Sequence, residues 1–399
     1  MDQDDQGWDF SDKFVCACCV DDYALSCAIA AEASDDQCSF CGRSPASQMD
    51  VLLNAFMAGI LNEYIDVDNA GVPYDSGEGG YQFYAGEGFD SSDLIDEFGD
   101  VLTGEGLIEE VRDRIHSKLW VDQNYGSASR DEILHDAWGA FSYAVKYVTR
   151  YVIWLLDHSE EKGWRSSDIL PPAKILHNIG ELLDDVGVMR VLSHGSEVWR
   201  ARTHQGETLS PDICADHLGT VKREHSKRPN RMNPAGIPMF YGAVDSCTAI
   251  AEVSENVPKK HNHVTVGQFA LSHDVAVVDL TRIPPIPSIF DPNFGPLRRE
   301  ISFLHNFAKE ISIPVEESDK AIEYVPTQIM TEFFLRVFRP KGGGEIVGLM
   351  YESAVRKGGI SLVLDIGSER CLDCNADMPQ SPSLILDSHS VATRAIPDA

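Results

Sequence analysis

Apolar positions change their spacing part-way along this chain. From Met49 to Leu192 they recur at steps of three and four, the period of an amphipathic helix, with Val51, Leu52, Ala55, Phe56, Gly59, Ile60 and Tyr64 on one stripe. A longer stripe runs through Ile133, Ala137, Phe141, Ala144, Val145, Val148, Val152 and Leu155, with Ser129 placed to cap it. Helices are expected over 92–102, 106–119, 129–156 and 172–192, around a Gly- and acid-rich loop at 66–92. The aromatics Trp138, Tyr143, Tyr147, Tyr151 and Trp154 on the long helix read as packing residues. After about residue 193 short runs punctuated by Gly and Pro take over. Strands are expected at 197–202, 239–243, 263–271, 275–279, 344–349 and 361–364, and helices at 212–218, 248–254, 299–311 and 326–337. Strands and helices that mix without regular βαβ alternation point to an α+β domain. The Pro- and Ser-rich stretch after Cys371 reads as a loose polar tail.

Composition narrows the setting. The 399 residues carry 63 Asp and Glu against 33 Lys and Arg, a formal net charge of −30, which repels nucleic-acid backbone and anionic lipid at long range. An anionic ligand must therefore be met by a local cluster of Arg or Lys. The acidic first twelve residues do not resemble a secretory signal, and the apolar run from Val145 to Leu156 is broken by Lys146 and Arg150. A soluble cytoplasmic protein with no membrane contact is expected, with nucleic acid disfavoured as a partner. The apolar stripes of the helical region permit a homodimer.

Six of the ten cysteines fall in the first 41 residues. Cys16 and Cys19, then Cys38 and Cys41, form two C-x2-C pairs 18 residues apart, the spacing that presents four thiolates to a tetrahedral structural zinc. Cys18 and Cys27 are left over, and either could replace one of the four. Cys371 and Cys374 make one half of such a motif without a second half. The expected organisation is a zinc-binding region at 1–45, a helical domain at 46–192, a mixed α/β domain at 193–370 and the polar tail at 371–399.

Candidate chemistry centres on residues 229–255. A turn carrying Arg231 and Asn233 leads through Gly236 into a strand with Tyr241, and the helix that follows carries Glu252. Upstream, Arg200 and Arg202 fall on one side of a strand by alternation, a placement suited to a paired anion such as a diphosphate. Downstream, Thr327 opens a helix and Ser353 follows a strand. Gly-x-Gly-x-x-Gly, the P-loop and Gly-x-Ser-x-Gly are all absent, which leaves dinucleotide-binding Rossmann, nucleoside-triphosphatase and α/β-hydrolase readings without support. The Arg130-x4-His135 spacing is one used by helical ribonucleases, but Arg299 and His305 show a similar spacing elsewhere, and a solvated helix face accounts for it.

Taken together, Trp199-Arg-Ala-Arg, Asn230-Arg-Met-Asn-Pro-Ala-Gly-Ile-Pro-Met-Phe-Tyr-Gly-Ala, Thr248-Ala-Ile-Ala-Glu-Val, Tyr351-x-Ser and Ser361-Leu-Val-Leu resemble the RES domain over residues 198–366. The Cys-rich and helical segments before it are similar to the HEPN/RES N-terminal region. The resemblance implies a fold related to ADP-ribosyltransferases and an NAD-consuming activity of the kind found in bacterial toxins. It implies catalytic roles for Arg200, Tyr241, Glu252 and Ser353 and substrate binding by Arg231; Arg202, Asn233 and Thr327 are the further substrate-binding candidates. Asn230 replaces the glycine usual before the second family arginine. NAD would be substrate, cleaved at the nicotinamide–ribose bond by phosphate or water, with a restraining antitoxin or regulatory protein as a further partner. Transfer of ADP-ribose to a macromolecule, a non-catalytic nucleotide sensor and ribonuclease action by the helical region are the alternatives.

Overall fold

Strand positions 263–271 alternate little because both faces are covered, and the strand they form runs through the middle of a large sheet. The computed structural model describes residues 7–84, 86, 88–155, 170–210, 212–254, 257–258, 260–374, 376 and 380–396. The chain forms two compact units, one from residues 1–133 and 285–302, the other from 134–284 and 303–399.

In the first unit the helices α1 (Tyr23–Ala31), α2 (Met49–Glu63), α3 (Ser91–Phe98) and α4 (Leu107–Arg114) surround one apolar core. Buried Val15, Leu25, Leu52, Phe56, Leu94 and Leu107 share it with the buried cysteines, so the Cys-rich start is part of this unit and not a separate module. The segment at 285–302 threads into the same core. Phe290 stacks on Phe56 with ring centroids 5.0 Å apart, and Gly59 permits that approach because a Cβ there would lie 2.3 Å from the Phe290 ring. The expected helix over 106–119 stops at Arg114, and Leu119–Asp122 instead forms the centre of a three-stranded sheet with Tyr64–Asp66 and Phe89–Asp90. The loop expected at 66–92 also contains the strand pair Tyr74–Asp75 and Gly80–Tyr81.

The long helix α5 (Arg130–Tyr147) is shorter than its apolar stripe predicts. Phe141, Ala144 and Val145 are buried, whereas Val148, Val152 and Leu155 are exposed. The Arg150 guanidinium donates to the Val145 carbonyl and helps end the helix; the expected terminus at Leu156 lies outside the described residues. The next helical stretch, α6 (Ile175–Asp185), gives way to a strand where helix is expected up to Leu192.

The second unit is built on a nine-stranded sheet of β1 (Met189–Leu192), β2 (Glu197–His204), β3 (Phe240–Ala243), β4 (His263–Leu271), β5 (Val275–Asp279), β6 (Ile346–Glu352), β7 (Ile360–Leu364), β8 (Cys371–Asp373) and β9 (Leu384–Ala395). Their order is β8-β9-β4-β2-β3-β7-β6-β5-β1, antiparallel except for the pairs β5/β6 and β8/β9. Val198, Phe240, Phe269, Leu362 and Leu364 fill the core on one face. On the other, Ala201, Ala243, Val264 and Val266 pack with Ala249 of α7 (Ser246–Ser254). Helices α8 (Arg298–Glu310) and α9 (Val325–Arg336) follow β5, and α9 packs on β6.

The loose tail expected after Cys371 is corrected by this sheet: β9 is twelve residues long and pairs with β4 from Leu271↔Leu384 to His263↔Ala395. Its polar composition is tolerated because burial is concentrated at Leu384 and Leu386, and beyond them its side chains are half-buried or exposed. Among the described residues, no helix is long and apolar enough to cross a membrane.

Candidate functional site

The centre of the sheet is where strand geometry brings polar side chains together. A cavity of about 110 Å³ is lined by Arg200 and Ala201 of β2, Tyr241 and Gly242 of β3, Tyr351 of β6, Ser361 of β7, and Ala249, Glu252 and Val253 of α7. Register sets these positions: Tyr351 lies directly opposite Ser361, and Tyr241 opposite Val363. Strands β2 and β3 pair only at Ala243↔Trp199, and Gly242 permits that approach, since a Cβ there would stand 2.9 Å from the Trp199 carbonyl oxygen.

Helix α7 is fixed at its start before it delivers Glu252. Asp245 accepts from the Thr248 backbone N–H at 2.9 Å and from the Thr248 hydroxyl at 2.6 Å, and Arg356 donates to both of its oxygens. Burial alone would raise the Asp245 pKa; the bonds from Thr248 and the charge of Arg356 bring it below the ordinary carboxylate value. One turn further on, Oε1 of Glu252 accepts hydrogen bonds from Ser353 Oγ at 2.6 Å and Ser361 Oγ at 2.8 Å. The second carboxylate oxygen has no partner among the described residues. A carboxylate held through one oxygen by two hydroxyls is oriented, while its other oxygen is left for a ligand.

Arg200 is half-buried, its Nε is fully buried, and it pairs with no carboxylate among the described residues. Its Nη1 donates to the Tyr241 carbonyl, its guanidinium lies 4.9 Å from the Phe240 ring centroid, and its Nε has no hydrogen-bond partner among the described residues. Burial, and then the neighbouring charge of Arg202, lower its pKa to about 10. A desolvated cation with unspent donors is a site prepared for an anion. Tyr351 is also buried; desolvation first, then the nearby Glu252 charge, push its pKa up, so it stays a neutral phenol. Its hydroxyl has no partner among the described residues.

The other residues singled out by sequence support this arrangement from behind. The Tyr241 ring lines the cavity, but its hydroxyl donates to Asn233 Oδ1 at 2.7 Å and accepts from the Met232 N–H at 3.0 Å. Asn233 is fully buried, and its amide spends both donors on the carbonyls of Pro234 and Ile237. Asn230 also donates to Asn233 Oδ1, so the asparagine in place of the usual glycine is built into the turn. Arg231 Nη1 donates to the carbonyls of Ile311 and Ile313 at 2.8 and 2.7 Å, and its guanidinium lies 5.2 Å from the Tyr324 ring centroid. Thr327 donates to the Arg231 carbonyl at 2.6 Å, and Arg202 to the Gly219 carbonyl. Arg202, Arg231, Asn233 and Thr327 do not line the 110 Å³ cavity.

Sequence reasoning missed Ser361 and the free hydroxyl of Tyr351. Both residues stand in the stretches that resemble the RES domain, but no role followed, because their meeting depends on the pairing of two strands. Tyr351 also lines a second, larger cavity of about 540 Å³, which Ser353, Glu352, Leu280, Ile283, His305, Lys309 and Ile313 help to form.

The four expected metal ligands converge in the first unit. The Sγ–Sγ distances are 3.7 Å for Cys16–Cys19, 3.4 Å for Cys16–Cys41 and 3.6 Å for Cys19–Cys38, and all four sulfurs lie within 4.8 Å of one another. Tetrahedral thiolates about 2.3 Å from a zinc ion would be about 3.8 Å apart, so the donor set fits. Each pair sits in a turn: Cys19 N–H donates to the Cys16 carbonyl, and Gly42, with a positive φ of 71°, returns its N–H to Cys38. Burial, then the Cys41 thiol, lift the Cys16 pKa to about 11. Cys38, despite burial, is drawn down to about 7 by backbone N–H groups. Cys18 and Cys27 are exposed and stand outside the cluster.

Cys371 is buried in the sheet core and accepts from the Thr220 N–H, so the half motif with Cys374 serves packing on that side. Arg299 is bound to Glu63 and Asp122, and His305 bonds the Pro284 carbonyl. On α5, His135 is exposed, in keeping with a solvated face.

Residues 31–159 match the model of the HEPN/RES N-terminal domain 1, and residues 197–384 match that of the RES domain. No curated protein and no solved structure matches the chain.

Proposed function

This chain is a RES-domain protein with a HEPN/RES N-terminal domain ahead of the RES fold, and we propose that it cleaves the nicotinamide–ribose bond of NAD. The observation that carries the reading is Glu252, oriented by Ser353 and Ser361 with one oxygen open to the cavity. Breaking that bond releases neutral nicotinamide with the bonding electron pair and leaves positive charge on the ribose. A fixed carboxylate stabilises that charge and can hold the ribose hydroxyls. Water or phosphate then forms the new bond to the anomeric carbon and loses a proton, giving ADP-ribose or its 1-phosphate; no electrons are gained or lost overall. Arg200, half-buried and without a carboxylate partner among the described residues, supplies the cation for a phosphate group, and the neutral Tyr351 hydroxyl donates to the ribose or the acceptor. Tyr241 packs against the ligand with its ring, and through its hydroxyl keeps the Met232–Asn233 turn in place. Arg202, Arg231, Asn233 and Thr327 shape the surrounding loops. An activity that drains a shared dinucleotide fits a toxin or defence effector held in check by a partner protein.

The metal of the first unit is zinc in this reading, in a closed four-thiolate site with a structural role. The test of the enzymatic reading is nicotinamide release from NAD, with and without phosphate. Glu252→Gln should lower the rate by about 10²–10³-fold, and equal rates for wild type and variant would sink it. Radiolabel from the adenylate appearing on protein or nucleic acid would redirect the reading to ADP-ribosyl transfer.

A further inference from the structure

The small cavity cannot hold a dinucleotide. Its 110 Å³ falls well short of the roughly 300–1,000 Å³ that ligands of that size occupy. The part of the substrate that reacts can sit beside Glu252, but the rest must leave through a neighbouring opening. The 540 Å³ cavity adjoins it, since Tyr351 lines both and Ser353, which bonds Glu252, lines the larger.

The walls of that larger cavity divide by chemistry. Leu280, Ile283, Ile313 and Pro314 offer apolar surface of the kind a purine ring covers. On α8, Lys309 is exposed and forms no ion pair or hydrogen bond among the described residues, although acids outnumber bases nearly two to one in this chain. His305, one turn earlier, also lines the cavity and donates through Nε2 to the Pro284 carbonyl. Arg231, which does not line the cavity, donates to the carbonyls of Ile311 and Ile313 and so holds the turn that supplies the wall residues Ser312, Ile313 and Pro314.

We infer that the 540 Å³ cavity receives the adenosine diphosphate half of the substrate, with Lys309 as the cation for its diphosphate. This rests on the NAD-cleaving reading above and adds to it the determinant of substrate choice: the reacting bond is served by Glu252, whereas discrimination between a dinucleotide and a bare nicotinamide riboside is made by α8 and the 311–314 turn. Lys309 is then a specificity residue, distant from the bond that breaks.

Two measurements on the full chain test it. Binding of ADP alone, followed by calorimetry, should weaken by about tenfold or more in Lys309→Glu and recover in Lys309→Arg, while Glu252→Gln retains it. In nicotinamide release, Lys309→Glu should raise KM for NAD by a similar factor and leave kcat within about twofold. Failure of wild type to bind ADP, or unchanged ADP affinity and NAD KM in Lys309→Glu, would overturn the assignment. ADP binding that depends on Lys309 in a protein releasing no nicotinamide would uphold the cavity's ligand and sink the cleavage reading instead. Lys309 is exposed, so the substitution should not disturb folding, and an unchanged thermal midpoint would verify this.

Discussion

The two polar clusters of this chain, the four cysteines of the first unit and the carboxylate site of the second, differ in what they leave unspent. In the first, Cys16, Cys19, Cys38 and Cys41 face one another at 3.4–3.7 Å, and the donor set closes on itself with the spacing that four thiolates need to hold a single ion. In the second, Glu252 keeps one oxygen open, Tyr351 keeps its hydroxyl, and Arg200 keeps its Nε. A closed set stabilises a fold; open valences in a buried place cost stability and are retained where a ligand completes them. Metal in the one and substrate in the other should therefore have opposite experimental signatures.

The largest effect is expected from breaking the closed cluster. Stripping the metal with a chelator, or Cys38→Ser, should unfold the first unit, because a structural zinc contributes on the order of 10 kcal/mol to small metal-dependent folds. Loss of bound metal together with a lower first thermal transition is the outcome to measure, and unchanged metal stoichiometry in Cys38→Ser would exclude this ligand set. An intermediate effect is expected at the support of the open site. Removing both hydroxyls that orient Glu252, in Ser353→Ala with Ser361→Ala, should cut kcat by roughly 10²-fold while KM changes little, and Ser361→Thr should recover part of it. A parallel fall in thermal midpoint would make the pair structural and blur the contrast. The smallest effect is expected at Tyr241→Phe, which removes a hydroxyl already spent on Asn233 and Met232. Stability should drop by about 1–3 kcal/mol in urea unfolding, with cleavage of NAD reduced only modestly.

Several features were legible in the sequence because they depend on local chemistry. Strands His263–Leu271 and Val275–Asp279 begin and end where turn residues bound their apolar runs, and the helix carrying Glu252 ends at Ser254, as expected from its apolar run. The C-x2-C pairs name their own partners through spacing, since two tight turns suffice to offer four thiolates. Other features were hidden by the same reliance on pattern. The apolar stripe through Val148, Val152 and Leu155 suggested a longer helix than α5, yet those side chains are exposed and the helix ends at Tyr147. Strand β9 was concealed by its polar residues, which signal a loop unless β4 is known to supply its hydrogen bonds.

By itself the sequence offered the residue types of the candidate site and the four cysteines that converge in the first unit. Residue type sets what a side chain can donate, accept or bind, and short spacing sets which thiolates share a turn. Only the tertiary structure decided which groups remain available. Pairing between strands distant in sequence puts Ser361 opposite Tyr351 and both beside Glu252, spends Tyr241 and Asn233 on each other, and opens a second cavity next to the first. Hydrogen-bond capacity is consumed by contacts across the fold, so what is left over for a ligand is a property of register and packing.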